Sequence, residues 1–400
     1  MHDIPGGIAA PLGFTAAGIH CGVKKAKKDL SLVYSSLPAV GAAVFTTNKV
    51  QAAPVLVDRL QLERSPSFRA ILVNSGNANA CTGDRGMEDA WAMVRATASA
   101  LSIKEDEVLV SSTGVIGQYL PIAKIVTGAG QAVSLLMNEG TAAAEAIRTT
   151  DTFTKETAVE CTLGGVTVRI GGKAKGSGMI APNMATMLAF VTTDAKIDRD
   201  VLQHSTRLAS DRSFNRISVD GDTSTNDMVL VLANGMAGNA PIDSVQHPFY
   251  EPFYRALEEV LIRLSKMIVM DGEGATKFIE IRMIGAATEA EAAQAARAVA
   301  NSNLVKTAIN GEDANWGRIL AAVGYSGIDF DPAAVEIQFG DVPILRRKYA
   351  IDFSEEQAKA VLERKEIVIT VNLNQGTASA VFWTCDLSQE YVAINANYRT

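Results

Sequence analysis

A layered α/β or α+β fold is predicted by three features of this 400-residue chain. Short apolar runs ending in polar loops alternate with Ala-rich amphipathic segments. The alternation keeps no regular βαβ period, which argues against a TIM barrel or a Rossmann sheet. Hydrophobic residues make up 48% and charged residues 20%, so there are enough apolar side chains for a large core.

The elements follow in order. AILVN at 70–74 and EVLVS at 107–111 read as strands. Between them, residues 84–101 predict an amphipathic helix. Trp91, Val94 and Ala98 recur at helical spacing, and Asp84, Glu88 and Asp89 sit near its positive N-terminal end. Residues 121–148 predict a second helical region, broken near Gly128 and Gly130. GVTVRI at 165–170 reads as a strand, GGKAKGSGM at 171–179 as a Gly-rich loop, and MLAFVTT at 187–193 as a further strand. Strands are expected near 214–219 and 228–232. A helix at 251–267 follows from Leu257, Leu261 and Leu264. KFIEIRMI, from Lys277, alternates as a strand, and residues 288–300 form a helix by propensity. The last hundred residues predict strands near 334–339, 366–372, 377–384 and 391–395, with a helix near 355–364. The expected division is a catalytic region over 1–280 and a smaller domain over 281–400.

Charge and composition narrow the function. The 37 Lys+Arg against 44 Asp+Glu give −7, which argues against a general nucleic-acid binder but permits a local basic pocket for anionic metabolites. The cluster Lys24, Lys25, Lys27 and Lys28, followed by Asp29, reads as a solvated turn or strand edge, with a membrane or nucleic-acid patch as the minor reading. Cys21, Cys81, Cys161 and Cys385 form no C-x-x-C, and the four histidines lack H-x-x-x-H spacing, so neither a disulfide framework nor a metal centre is expected. The N-terminus lacks a basic n-region and no apolar run reaches the ~18 residues of a membrane helix. A cytoplasmic protein with no membrane partner is expected.

Three motifs invite chemistry. GGKAKGSG lacks the G-x-x-x-x-G-K-[ST] pattern, because Lys175 is followed by Gly176. Its glycines and one Lys suit either close approach to a small anion or a structural loop. DGDTSTND at 220–227 does not fit a calcium loop and reads as a polar turn or a supporting network. DGEGAT at 271–276 puts Glu273 between two glycines, as a solvated turn or a ligand-contacting acid. G-x-S-x-G is missing, and the Thr-rich segments at 111–114 and 149–154 suit capping as well as catalysis.

The segment KGSGMIAPNMATMLAFVTTDA at 175–195 resembles the processing site of the ornithine acetyltransferase family, the glutamate N-acetyltransferases of arginine biosynthesis. So do NSGNANACTG at 74–83, SSTGVIG at 111–117, TTDTF at 149–153 and SFNRISVDGDTSTNDM at 213–228. DGEGATKF at 271–278, VKTAINGEDANWGRI at 305–319, INANYRT at 394–400 and PLGFTAAGI at 11–19 extend the likeness over essentially the whole chain.

The resemblance implies an α/β/β/α sandwich followed by a smaller C-terminal α/β domain. It implies a chain that cuts itself between Ala185 and Thr186, giving an α chain of 1–185 and a β chain of 186–400, assembled as two α and two β chains. Thr186 would be the nucleophile and its freed amine the base, which accounts for the scarcity of His. Thr113 and Gly114 would form the oxyanion hole. Thr149, Lys175, Thr186, Glu273, Asn395 and Thr400 would bind substrate. The implied reaction moves acetyl from N2-acetyl-L-ornithine to L-glutamate without cofactor or metal. Acetyl-CoA is expected as a second donor. A form restricted to the ornithine donor is the alternative, and a related self-cleaving amidase or aminopeptidase a more distant one.

Overall fold

The computed structural model describes residues 1–180, 187–351 and 353–397. Ala185, Thr186 and Thr400 lie outside the described residues. Two compact units appear. The first takes the described residues of 1–176, 187–215 and 222–268. The second takes 269–397 together with short stretches at 177–180 and 216–221.

The first unit begins with strands β1 (His2–Asp3), β2 (Phe14–Ile19) and the long β3 (Leu30–Phe45). Helix α1 (Ala53–Arg64), strand β4 (Phe68–Asn77), helix α2 (Gly83–Leu101) and strand β5 (Val108–Val115) come next. Helices α3 (Ile122–Val133) and α4 (Thr141–Ala146) precede strands β6 (Lys155–Leu163), β7 (Val166–Lys175) and β8 (Leu188–Thr193). Helix α5 (Arg199–Arg212) is followed by β9 (Ile217–Ser218), which belongs to the second unit. Strand β10 (Met228–Ala233) and helix α6 (Tyr250–Met270) complete the series.

Strand β3 belongs to two sheets. Its first half pairs with β2 and β4, and β4 pairs in parallel with β5. Its second half pairs with β10, which continues through β8, β7 and β6 to β1. Strand alternation decides which side chains meet. Phe14, Val33, Ile71, Val73 and Leu109 face Leu188, Phe190, Leu230 and Leu232 in the layer between the sheets. Leu30, Leu32, Leu72 and Val110 point the other way and pack on Met93 and Val94 of α2 and Ile125 of α3. On the far face, Gln203 of α5 exchanges two hydrogen bonds with the Ala43 backbone, and Leu264 of α6 closes on Gly172. The layers are therefore α/β/β/α, as the resemblance implies.

The second unit adds β11 (Phe278–Ala286), α7 (Glu289–Ala300), α8 (Asn303–Asn310) and α9 (Trp316–Gly324). After these come β12 (Glu336–Phe339), β13 (Val342–Leu345), α10 (Glu355–Leu362), β14 (Glu366–Asn372), β15 (Ala378–Cys385) and α11 (Gln389–Ala396). Six strands form one sheet in the order β13-β12-β14-β11-β15-β9. Its core joins Ile281, Ile337, Ile369 and Phe382 to Ala295, Val299 and Ile319 of the helices. Thr288 starts α7 with a reciprocal capping box to Glu291. No helix of the described residues is long and apolar enough to cross a membrane.

Three local expectations are corrected. Helix α3 runs unbroken through Gly128 and Gly130, and the interruption comes at 134–140. Gly128 is needed for contact, since a Cβ there would lie 2.7 Å from Cys21 Cβ and 2.8 Å from Leu30 Cδ2. Residues 171–175 continue strand β7 rather than forming a loop. A Cβ on Gly171 would fall 2.0 Å from the Gly7 carbonyl oxygen, so this glycine lets two backbones touch. Residues 391–395 lie in helix α11, not a strand. The run is short, and Val392 is 65% exposed, so no sheet partner rewards its β-branched residues.

Candidate active site

In the first unit, β4 and β5 end side by side, with Ser75 opposite Thr113 and Gly76 opposite Gly114. Gly114 has φ 133°, and a Cβ there would lie 2.3 Å from the Gly76 carbonyl carbon and 2.5 Å from Asn77 N. Only glycine fits this turn away from the strand. Buried amides brace it. Ser112 Oγ donates to Asn74 Oδ1 at 2.6 Å, while Asn226 Nδ2 donates to the carbonyls of Ala78 (2.6 Å) and Ser112 (2.8 Å).

Lys175, the last residue of β7, reaches this turn and donates to Thr113 Oγ1 at 3.3 Å. An ammonium has only hydrogens to offer, so Thr113 accepts here and its own O–H is left to donate elsewhere. That is the polarity a developing oxyanion needs.

Asp151, which sequence reasoning did not single out, organises the same corner. Its Oδ2 accepts the Thr149 N–H at 2.9 Å, and its Oδ1 accepts the Gly176 N–H at 2.9 Å and Lys155 Nζ at 2.7 Å. Both side chains of the Asp151–Lys155 pair are fully buried. Burial alone would raise the Asp151 pKa. Lys175, Lys155 and the Gly176 N–H outweigh it and hold the carboxyl below the usual range. A signal was present: Asp151 precedes Lys155 by four residues and sits between two threonines.

Asp151→Asn should lower stability at neutral pH by about 3–5 kcal/mol, because a buried ammonium loses its carboxylate. A carboxyl with a depressed folded pKa stabilises above its unfolded value of about 4 and loses that contribution as pH falls. The variant's melting temperature, followed by calorimetry, should therefore respond less to acid than the wild type's.

Asp227 precedes β10 and is buried. Its carboxyl lies close to Ser224 and to the backbone of Met187, the first described residue after the expected scissile bond. Burial pushes its pKa well above the carboxylate range, against the pull of Ser224 and Lys175. Asp227 Oδ2 has no hydrogen-bond partner among the described residues.

Glu273 and Asn395 lie in the second unit. Asn395 Nδ2 donates to Glu273 Oε2 at 2.8 Å, and the Glu273 N–H donates to the Ser177 carbonyl at 2.9 Å. A Cβ on Gly178 would fall within 2.3 Å of the Glu273 carboxylate, so this glycine makes room for the acid. Asp220 accepts the N–H groups of Met179 (2.6 Å) and Ile180 (2.8 Å). The acid-rich 220–227 run thus supports chain segments, by Asp220 in the second unit and Asp227 in the first. Among the described residues no three His, Cys, Asp or Glu side chains gather as a metal site would need.

The structure brings Thr113, Gly114 and Lys175 together and ties Thr149 to them through Asp151. It separately joins Glu273 to Asn395. The expected nucleophile Thr186, its neighbour Ala185 and the terminal Thr400 are outside the described residues.

This chain is similar to known proteins over its full length. A protein named arginine biosynthesis bifunctional protein ArgJ from Symbiobacterium thermophilum is 53% identical, with the whole of both chains covered. A protein of the same name from Thermotoga neapolitana is 49% identical, over 98% of this chain and 99% of its own. The crystal structure of arginine biosynthesis bifunctional protein ArgJ from Bacillus halodurans matches with a TM-score of 0.52 and 48% identity. That match covers 53% of this chain and all of the solved one. The sequence profile of the ArgJ family matches residues 15–400, and the chain belongs to that family.

Proposed function

We propose that this protein transfers an acetyl group from N2-acetyl-L-ornithine to L-glutamate, through an acetyl ester on Thr186, and also accepts acetyl-CoA as donor. The observation that carries the reading is full-length identity of about half to relatives named as bifunctional proteins of arginine biosynthesis. The Thr113 hydroxyl, turned into a donor by Lys175, supports it chemically.

Thr186 Oγ first attacks the Ala185 carbonyl; the C–N bond breaks and frees the Thr186 amine, and water then hydrolyses the resulting ester to an Ala185 carboxylate and the free Thr186 hydroxyl. In the transfer reaction that amine takes the hydroxyl proton as Thr186 Oγ attacks the acetyl carbonyl. Thr113 Oγ1–H and the Gly114 N–H would hold the oxyanion, each worth about 3 kcal/mol. The amine of ornithine takes the proton and leaves. The amine of L-glutamate then attacks the ester and restores the hydroxyl. Lys175 offers a cation to a substrate carboxylate, Glu273 an anion to a substrate amine, and Thr149, Asn395 and Thr400 complete recognition.

The cut yields chains 1–185 and 186–400, which pair and assemble as two of each. The solved relative's length is in keeping with the cut, though it does not bear on the assembly: its whole chain spans 53% of this one, and residues 186–400 are 215 of 400. A cytoplasmic setting suits the biosynthetic role and four free thiols.

Steady-state rates with each donor test the reading. N-acetylglutamate should form from both, faster from N2-acetyl-L-ornithine, because the fitted ornithine leaving group orients the acetyl. Formation from acetyl-CoA at no more than the rate of a Thr186→Ala control would restrict the protein to the ornithine donor.

A further inference from the structure

The structure assigns a second role to the lysine-rich turn between β2 and β3: we propose that Lys25 and Lys27 bind the phosphates of the nucleotide end of acetyl-CoA. The inference rests on the acetyl-CoA branch of the proposed function.

The turn is built, not loose. The fully buried Asp29 carboxylate accepts the N–H groups of Cys21 (2.6 Å), Gly22 (3.1 Å) and Lys24 (2.9 Å), which fixes the curve of the backbone. The lysines then divide by task. Lys24 Nζ donates to the carbonyls of Lys28 (3.0 Å) and Arg148 (2.5 Å). Lys28 pairs with Glu145 at 2.6 Å, and Lys124 Nζ donates to the Gly22 carbonyl at 2.9 Å. Lys25 and Lys27 are exposed, and their ammonium groups make no such bond to any described residue.

The turn also adjoins the acetyl-transfer corner. The Lys24 stem lies 3.0 Å from where a Cβ of Gly76 would be, and Gly76 is the register partner of Gly114. The Arg148 carbonyl that Lys24 holds precedes Thr149. Burial pushes Lys24 down to about 8, opposed by Asp29 and assisted by the positive charges of Lys175 and Lys27. Lys24, Lys25, Lys27, Lys28 and Lys124 outnumber the carboxylates Asp29 and Glu145 around this turn, in a chain of net charge −7.

Acetyl-CoA presents a matching separation of parts. Its acetyl thioester and its phosphates lie at opposite ends of a flexible arm. With the thioester at Thr113 and Gly114, that arm can run over Gly76 and the Lys24 stem and leave the phosphates at Lys25 and Lys27. The ornithine donor has no phosphate and gains nothing from these lysines.

The test compares the wild type, K25Q/K27Q and the charge-matched control K359Q/K365Q, whose lysines are exposed in the second unit. In K25Q/K27Q the KM for acetyl-CoA should rise about ten-fold, as expected for two exposed cations, and its salt dependence should shrink. kcat, and the KM for N2-acetyl-L-ornithine, should stay within two-fold. The control should match the wild type. Titration calorimetry with adenosine 3′,5′-bisphosphate reads binding without turnover, and should show the same loss in K25Q/K27Q alone. Unchanged affinity and KM in K25Q/K27Q would overturn the proposal while leaving acetyl-CoA use intact. Inorganic phosphate binding as tightly as the bisphosphate would also overturn it. Lysine-dependent bisphosphate binding without product from acetyl-CoA would sustain the site and overturn the donor reading instead.

Discussion

Thr186→Ala should remain one chain of about 42 kDa and transfer no acetyl group from either donor. In the proposed function one hydroxyl does two things: it opens the Ala185–Thr186 bond and it carries the acetyl group. Removing it stops both, whereas a base or a binding residue would affect one more than the other. Its loss should cost more than any other substitution, because the covalent route disappears rather than becoming slower. Thr186→Ser keeps the oxygen and should still be processed, more slowly. Gel electrophoresis and N-acetylglutamate formation read the two effects. Efficient cleavage of the alanine variant would mean that another group attacks the bond.

Thr113→Val should reduce kcat by roughly 10²–10³, the usual cost of one oxyanion donor. Valine keeps the β-branched shape that β5 packs, so the fold should persist. It removes the hydroxyl that Lys175 polarises at 3.3 Å. Both half-reactions pass through an oxyanion, so the loss should be similar with N2-acetyl-L-ornithine and with acetyl-CoA. KM should move much less than kcat. Thr113→Ser, which restores the O–H, should recover most of the rate. A valine variant with wild-type kcat would remove Thr113 from the oxyanion hole.

What was legible in the sequence depended on how local the cause was. The periodicity of Leu257, Leu261 and Leu264 gave α6, and the alanine-rich helix propensity of residues 288–300 gave α7. Both signals lie within a few residues of what they determine. Gly128 and Gly171 were misread because their reason is distant: Cys21 and Leu30 crowd the first, and Gly7 the second. A glycine that ends a helix and one that lets a neighbour approach look alike in one dimension. The strand expected at 391–395 failed because no sheet edge is there to receive it.

The site divides in the same way. SSTG and KGSGM could be matched as motifs, yet the sequence alone could not say that Lys175 donates to Thr113. That contact joins the ends of β5 and β7, which are 62 residues apart. Asp151 went unnoticed because its importance lies in three simultaneous bonds, to Thr149, Lys155 and Gly176, of which only the four-residue spacing to Lys155 shows in the sequence. Asp220 and Asp227 looked like one polar turn. In the structure they part: Asp220 takes the backbone N–H groups of Met179 and Ile180, while Asp227 is buried beside Ser224 and the Met187 backbone. Their burial and their targets are tertiary facts.

Intact-mass spectrometry with N-terminal sequencing of the purified wild-type protein tests the self-made nucleophile most directly. In proportion to length, chains of about 20 and 23 kDa are expected from the 42.4 kDa precursor, the larger one beginning at Thr186. A single chain of full mass in an active preparation, or a C-terminal chain beginning at any other residue, would contradict it.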